Sequence, residues 1–167
     1  MHVRVQLRYP AQVPAVAAML ADEGYARTRV EASGAAVEQA DVTGSADAAF
    51  TVATRRSVPT DQIPAQARAF VGSRLEVRQV EAWEAPAADG ARRGTVVVEI
   101  SGAPVRLTGT VALEPDPSGV GATVTYDGDL KASVPLFGAA VEQAAVGAVR
   151  SALEAEQDAG NRWLAAR

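Results

Sequence analysis

The feature that most constrains this chain is its last stretch, Val134 to about Ala165. Pro135 suits a first helical turn, where its missing N–H costs nothing. After it there is no proline, and Ala, Leu, Glu, Gln and Arg dominate, all good helix formers. Phe137, Val141, Ala144, Ala145, Ala148, Ala152, Ala155 and Ala159 recur at steps of three and four and so share one face. Arg150, Glu154, Gln157 and Asp158 fall on the other. From Pro135 to Ala159 such a helix runs roughly 37 Å at ~1.5 Å per residue. Its apolar stripe needs a broad partner, and the upstream chain must supply it.

The upstream pattern is that of an antiparallel sheet. Val3, Val5, Leu7 and Tyr9 alternate with His2, Arg4, Gln6 and Arg8, a half-buried strand closed by Pro10. Val13, Val16 and Leu20 have helical spacing with Pro14 in the first turn, and Asp22 to Ser33 reads as a second short helix. A weak strand follows over Val37 to Thr43, then a firmer one from Phe50 to Val58-Pro59. Thr60-Asp61 caps a short helix through Ile63, Ala67, Phe70 and Val71, closed by Gly72.

Leu75 to Trp83 is a strand whose alternation slips between Val77 and Val80, the signature of a bulge. Asp89-Gly90 marks a hairpin. Val96, Val98 and Ile100 share a face. Val105, Leu107, Val111 and Leu113 alternate with Arg106, Thr108, Thr110 and Glu114. Ala122, Val124, Tyr126 and Leu130 make the last strand. Alternation continues through Asp127-Gly128, so that pair is not a turn. Strands joined by tight turns pair antiparallel. With one polar and one apolar face each, they expose a wet side carrying Arg4, Arg106, Thr108, Thr123 and Thr125. The expected fold class is α+β: a curved antiparallel sheet wrapped around a long C-terminal helix, one domain over residues 1–167.

Composition excludes several functions. Net charge is -4 with no basic block, which argues against nucleic acid as partner. Lys131 is the sole lysine. No apolar run approaches the roughly 20 residues that span a bilayer, so no stable membrane insertion is expected, and Met1 to Tyr9 lacks the apolar core of a signal peptide. Without cysteine there is no disulfide or thiolate chemistry, which fits a cytoplasmic home. With aromatics at 5%, the core must be mostly Val, Ala and Leu.

The order of elements resembles the helix-grip fold of the START-like (SRPBCC) superfamily, which includes lipid-transfer domains, plant pathogenesis-related proteins and aromatic polyketide cyclases. Within it the chain is most similar to a small actinobacterial family of unknown function. The residues that carry this likeness are VPTDQIPAQARAFVGSRLEV (Val58 to Val77), EAWEAPAADGARRGTVVVEISGAPVRLTG (Glu81 to Gly109), VPLFGAAVEQ (Val134 to Gln143) and Trp163-Leu164. The resemblance implies a hydrophobic cavity between sheet and helix and supplies no catalytic residues.

Few side chains suggest chemistry. His2 is the only histidine, so neither a zinc site nor a Ser-His-Asp triad can be assembled in the usual way; no metal and no cofactor are expected. Arg92-Arg93 reads as a charged hairpin end, and Glu142 and Glu156 as solvated carboxylates flanking the helical stripe. Gly109 and Gly128, inside strands, read as sites of sheet curvature. Trp83 and Tyr126 stand out as large side chains with polar tips.

The expected function is non-enzymatic binding or transport of a hydrophobic small molecule, lipid, isoprenoid or polyketide-like. Alanines on the long helix leave space where bulky residues would fill it. The expected lining is Phe50, Trp83, Val98, Ile100, Leu107, Val124, Tyr126, Phe137, Val141, Ala145, Ala148 and Val149. Two alternatives compete. A cyclase-like enzyme needs ionisable groups pointing inward, and only Tyr9, Tyr126, Glu142 and a register-slipped Glu99 qualify. A protein-interaction module would have no cavity.

Overall fold

The computed structural model describes residues 1–63, 65–69, 71 and 73–167. Strand β1 (His2–Tyr9) leads into helices α1 (Val13–Leu20) and α2 (Glu23–Ala32). Strands β2 (Ala36–Gly44) and β3 (Phe50–Pro59) follow. A 3-10 turn (Thr60–Gln62) and a short helix α3 (Ala65–Arg68) come next. Then come β4 (Arg74–Trp83), β5 (Arg92–Ser101), β6 (Val105–Pro115), β7 (Ala122–Ala132) and α4 (Gly138–Ala165). The expected succession of elements is thus observed. Phe70 and Gly72, expected in and after the short helix, lie outside the described residues.

The strands form one antiparallel sheet in the order β1-β7-β6-β5-β4-β3-β2. Helices α1 and α2 carry the chain from one edge of the sheet to the other. Pro14 sits in the first turn of α1, and the Asp22 carboxylate caps α2 by accepting from the Tyr25 N–H at 3.1 Å. Asp127-Gly128 is strand, as the alternation requires.

Two local expectations are corrected. Strand β4 contains no bulge: its register is unbroken against both β3 and β5. Its alternation slips in sequence because Gln79 and Glu81 point inward with Leu75 and Trp83, and all four are buried. Helix α4 begins at Gly138, not at Pro135, because Leu136 takes a positive φ of 66° that a right-handed helix cannot contain.

Helix α4 lies across β1, β7, α1 and α2. Its most deeply set residues are Val146, Leu153, Glu156, Ala159 and Gly160. Gly160 permits the close approach, since a Cβ there would stand 2.5 Å from Tyr9 Cε1 and 2.9 Å from the Tyr25 hydroxyl. Polar clasps hold the helix to the sheet edge: the Arg8 N–H donates to Gln157 Oε1 at 2.7 Å, and the Ala132 N–H to Glu142 Oε1 at 3.0 Å. Gly109 and Gly128 face each other in register across β6 and β7. A Cβ at Gly109 would lie 2.3 Å from the Asp127 carbonyl oxygen, so these strands approach too closely there for side chains.

The outer face of the sheet is wet. Arg4, Arg106 and Thr108 are exposed, and Thr123 and Thr125 are half-buried. Its ion pairs, Arg4–Asp127 at 2.9 Å and Arg106–Glu99 at 3.4 Å, are open to solvent and contribute little. Thr108→Lys and Arg106→Ala should therefore each change stability by less than about 0.5 kcal/mol in chemical unfolding. Losses of several kcal/mol at both would mean that this face is covered.

Candidate functional site

Register sorts the inner face into rows. One row runs Phe50, Trp83, Gly94, Val111 and Tyr126; the next runs Val52, Glu81, Val96, Gly109 and Gly128; a third runs Thr54, Gln79, Val98, Leu107 and Leu130. Beyond it, Arg56, Val77 and Ile100 are aligned. Helices α1 and α2 and the C-terminal half of α4 pack over the first rows. The later rows and the alanine side of α4 enclose a cavity of about 550 Å³.

Of the expected lining residues, Val98, Ile100, Leu107, Tyr126, Ala145, Ala148 and Val149 stand in the cavity wall. Phe50, Trp83, Val124, Phe137 and Val141 do not, and this corrects the expectation. Alternation gives the face a strand residue occupies but not its depth along the strand. Phe50 and Trp83 stack on each other with ring centroids 6.0 Å apart, and the Arg92 guanidinium lies over Phe50. Val124 is fully buried. Phe137 is half-exposed at the start of α4, and Val141 packs at the margin of the core. Arg92 is likewise no charged hairpin end: it is buried and donates to the Ala46 and Ala48 carbonyls at 2.5 and 3.3 Å.

A buried polar cluster closes the inner end of the cavity. Glu81, with no exposed surface, is its hub. Its Oε1 accepts from Arg29 Nη1 at 3.1 Å, Gln79 Nε2 at 2.7 Å and the Tyr126 hydroxyl at 3.1 Å; its Oε2 accepts from Trp83 Nε1 at 3.1 Å. Arg56 Nη2 donates to Gln79 Oε1 at 2.6 Å. Glu156 lies between the two arginines, 3.7 Å from Arg29 Nη1 and 3.6 Å from Arg56 Nη1. The Tyr25 hydroxyl donates to the Glu156 backbone carbonyl at 3.1 Å. Arg56, Gln79, Tyr126 and Glu156 reach the cavity wall. The cluster joins α2, β3, β4, β7 and α4 at one point, with two guanidinium groups facing two carboxylates.

Burial sets the electrostatics. It pushes Glu156 above the usual carboxylate range, and Arg29 and Arg56 only partly offset this. Burial also works against the Arg29 charge, but Glu81, Glu156 and the neighbouring Tyr126 and Tyr25 together outweigh it and hold that guanidinium well above its ordinary value. Arg56 is lowered, chiefly by burial against the opposing effect of Glu156. Tyr126 is raised by burial and then by Glu81.

The sequence reading missed Arg29, Arg56, Gln79 and Glu81 and placed Glu156 in solvent. The available signal was the slipped alternation of β4. Of the ionisable groups expected to face inward, Tyr9 and Tyr126 are buried. Glu99 has no register slip and pairs with Arg106 on the outer face. Glu142 accepts from the Ala132 N–H and lies 3.2 Å from the Met1 ammonium; that backbone hydrogen bond, with the ammonium, holds it below the usual range. His2 is exposed beside Asp127 and Asp129, at 3.4 and 3.6 Å. Among the described residues, no three His, Cys, Asp or Glu gather as a metal site, and no helix is long and apolar enough to cross a membrane. A larger groove of about 880 Å³ runs along the outer face between Arg55, Arg78, Arg106, Glu76 and Glu99. Its lining is strongly charged and open to solvent, with Arg106 paired to Glu99 at 3.4 Å, so it lacks the apolar enclosure of a small-molecule site.

An antiparallel sheet gripping a long C-terminal helix over such a cavity is the helix-grip fold of START-like proteins. Residues 4–164 match the model of a family described as protein of unknown function (DUF2505), and the chain belongs to that family. Among solved structures, it is similar to the Zhui aromatase/cyclase from Streptomyces sp. R1128, at 15% identity and a TM-score of 0.61 over 100% of this chain and 94% of that one. It is also similar to the STAR-related lipid transfer protein from Xanthomonas axonopodis, at 20% identity and a TM-score of 0.58 over 96% and 84%. A START superfamily protein from Mycobacterium smegmatis matches at 12% identity and a TM-score of 0.55 over 94% of each chain. Comparison with curated proteins returns no significant match.

Proposed function

We propose that the protein binds a hydrophobic small molecule, such as a lipid, isoprenoid or polyketide-like compound, in the cavity between sheet and α4, without chemically altering it. One observation carries this reading: about 550 Å³ of space walled mainly by Val, Ile, Leu and Ala side chains, a volume within the roughly 300–1,000 Å³ of small-molecule sites. An apolar space of this size is larger than the gaps that dense packing leaves in protein interiors. The similar structures described as a lipid transfer protein and an aromatase/cyclase support the same reading. A cyclase-like enzyme is the second reading, favoured by the inward polar cluster; a co-purified compound recovered in altered form would support it.

The test is Ala148→Phe. Ala148 lines the cavity and is itself exposed, so a phenyl ring there enters open space. Binding of an apolar fluorescent probe should fall at least about tenfold, with the melting temperature nearly unchanged. In a closed, dense core the same change would cost about 1–3 kcal/mol. Marked destabilisation, with no probe binding to the parent protein, would leave an interaction module as the better reading.

A further inference from the structure

Resting on the reading of the cavity as a small-molecule site, we infer that its ligand is an apolar molecule ending in a carboxylate, and that the carboxylate seats against Arg56. The argument is an inventory of donors and acceptors at the polar end. Glu81 already accepts four hydrogen bonds, and the Gln79 oxygen is taken by Arg56 Nη2. Every one of these oxygens thus already has a protein donor. On the donor side there is a surplus. Arg56 Nη1 faces Glu156 Oε1 at 3.6 Å, a long contact. Arg56 Nε is buried without a partner, as are Nε and Nη2 of Arg29. Arg56 is the arginine of the two that lines the cavity, and it is only 5% exposed. A buried guanidinium with unmet N–H groups at the end of an apolar space calls for an acceptor oxygen, and a carboxylate matches its fork best.

Charge points the same way. With all four ionised, Arg29 and Arg56 balance Glu81 and Glu156. Burial works against the Arg56 charge, and a carboxylate seated beside it would offset that cost. A cationic head would instead meet the Arg56 guanidinium, and a purely apolar molecule would leave Arg56 Nε unmet.

The experiment uses the full chain and two fluorescent probes of one shape, parinaric acid and its methyl ester, titrated at neutral pH. The acid should bind about ten- to a hundredfold more tightly than the ester, the range expected for hydrogen bonds to a charged group. In Arg56→Gln the ratio of the two affinities should collapse towards one. Should that variant fail to fold because Glu156 loses its counter-charge, Arg56→Gln combined with Glu156→Gln removes both charges together and should show the same collapse. Equal binding of acid and ester by the parent protein would overturn the carboxylate inference and leave the apolar cavity standing. An acid preference that survives loss of the Arg56 charge would also overturn it. Failure of both probes to bind would sink this inference and the proposed function together.

Discussion

Raised above pH 10, the protein should unfold in a single step that ionises all three of its tyrosines at once. Tyr9, Tyr25 and Tyr126 are the only tyrosines in the chain, and each is almost fully buried. Burial is the main cause of the raised value at each. It pushes Tyr25 up to about 12 even with the Arg29 charge nearby. Tyr9, beside Tyr25, and Tyr126, beside Glu81, are raised further. The sign follows from where protons are held. Below about pH 10 folded and unfolded chains both keep their phenol protons, and stability does not depend on them. Above it the unfolded chain releases three protons that the fold retains, so stability falls as pH rises. Each tyrosine contributes about 1.4 kcal/mol per pH unit, about 4 kcal/mol for the three; the Tyr25 share levels off above about 12. A domain with a stability of roughly 5–15 kcal/mol cannot survive that slope for long. Tyrosinate absorbance and far-UV circular dichroism, followed together during an alkaline titration, should change in one coincident transition. A tyrosine that titrates near its ordinary value while the dichroism stays native would show that the phenol is not held as described.

The polar cluster beside these tyrosines leaves little trace in the sequence, for a definite reason. Periodicity assigns faces by treating polar residues as outward. It works where the rule holds, as in β6, where Val105, Leu107, Val111 and Leu113 alternate with exposed partners, and in β7, where it carried the strand through Asp127-Gly128. It fails in β4. Gln79 and Glu81 sit on the inner face because partners from elsewhere in the chain satisfy them: Arg29, 52 residues before Glu81, and Arg56, 23 residues before Gln79. Such pairing leaves no local trace except a break in alternation, which a bulge explains equally well from sequence alone. The same blindness placed Glu156 in solvent. Helical spacing draws the stripe of α4 through Ala144, Ala145, Ala148 and Ala152, whereas the deepest line passes through Val146, Leu153, Glu156 and Ala159. Those four alanines border the cavity instead, which is why the helix side of the site is more legible than its polar end.

Depth was the other missing quantity. Phe50, Trp83 and Val124 have the inward phase that alternation gives them, yet they lie in rows covered by helices. Val98, Ile100 and Leu107 lie further along the sheet, where α4 stands off. Register between strands fixes these rows, and register is set by pairings that no single strand encodes.

The buried cluster should be the most fragile part of the fold, and Glu81→Leu is the substitution that exposes this. Glu81 accepts from a guanidinium, an amide, an indole and a phenol. Removing it leaves Arg29 with Glu156 at 3.7 Å as its remaining carboxylate, and leaves Trp83 Nε1 and the Tyr126 hydroxyl without their acceptor. Uncompensated buried charge costs about 3–5 kcal/mol, and each orphaned donor adds to it, less than additively. The expected loss is therefore at least about 3 kcal/mol in urea unfolding. Arg29→Leu should cost a similar amount by stranding Glu81. The double variant, Arg29→Leu with Glu81→Leu, should lose less than the sum of the two, because a buried ion pair replaced on both sides by apolar groups of similar size often breaks even. The coupling should reach about 1–3 kcal/mol, the upper range for residues in direct contact. Additive losses would mean that the two side chains stabilise the fold independently. A Glu81→Leu protein within 1 kcal/mol of the parent, a threshold set at about the net worth of one ordinary hydrogen bond, would mean that the cluster does not join helix to sheet as its geometry indicates.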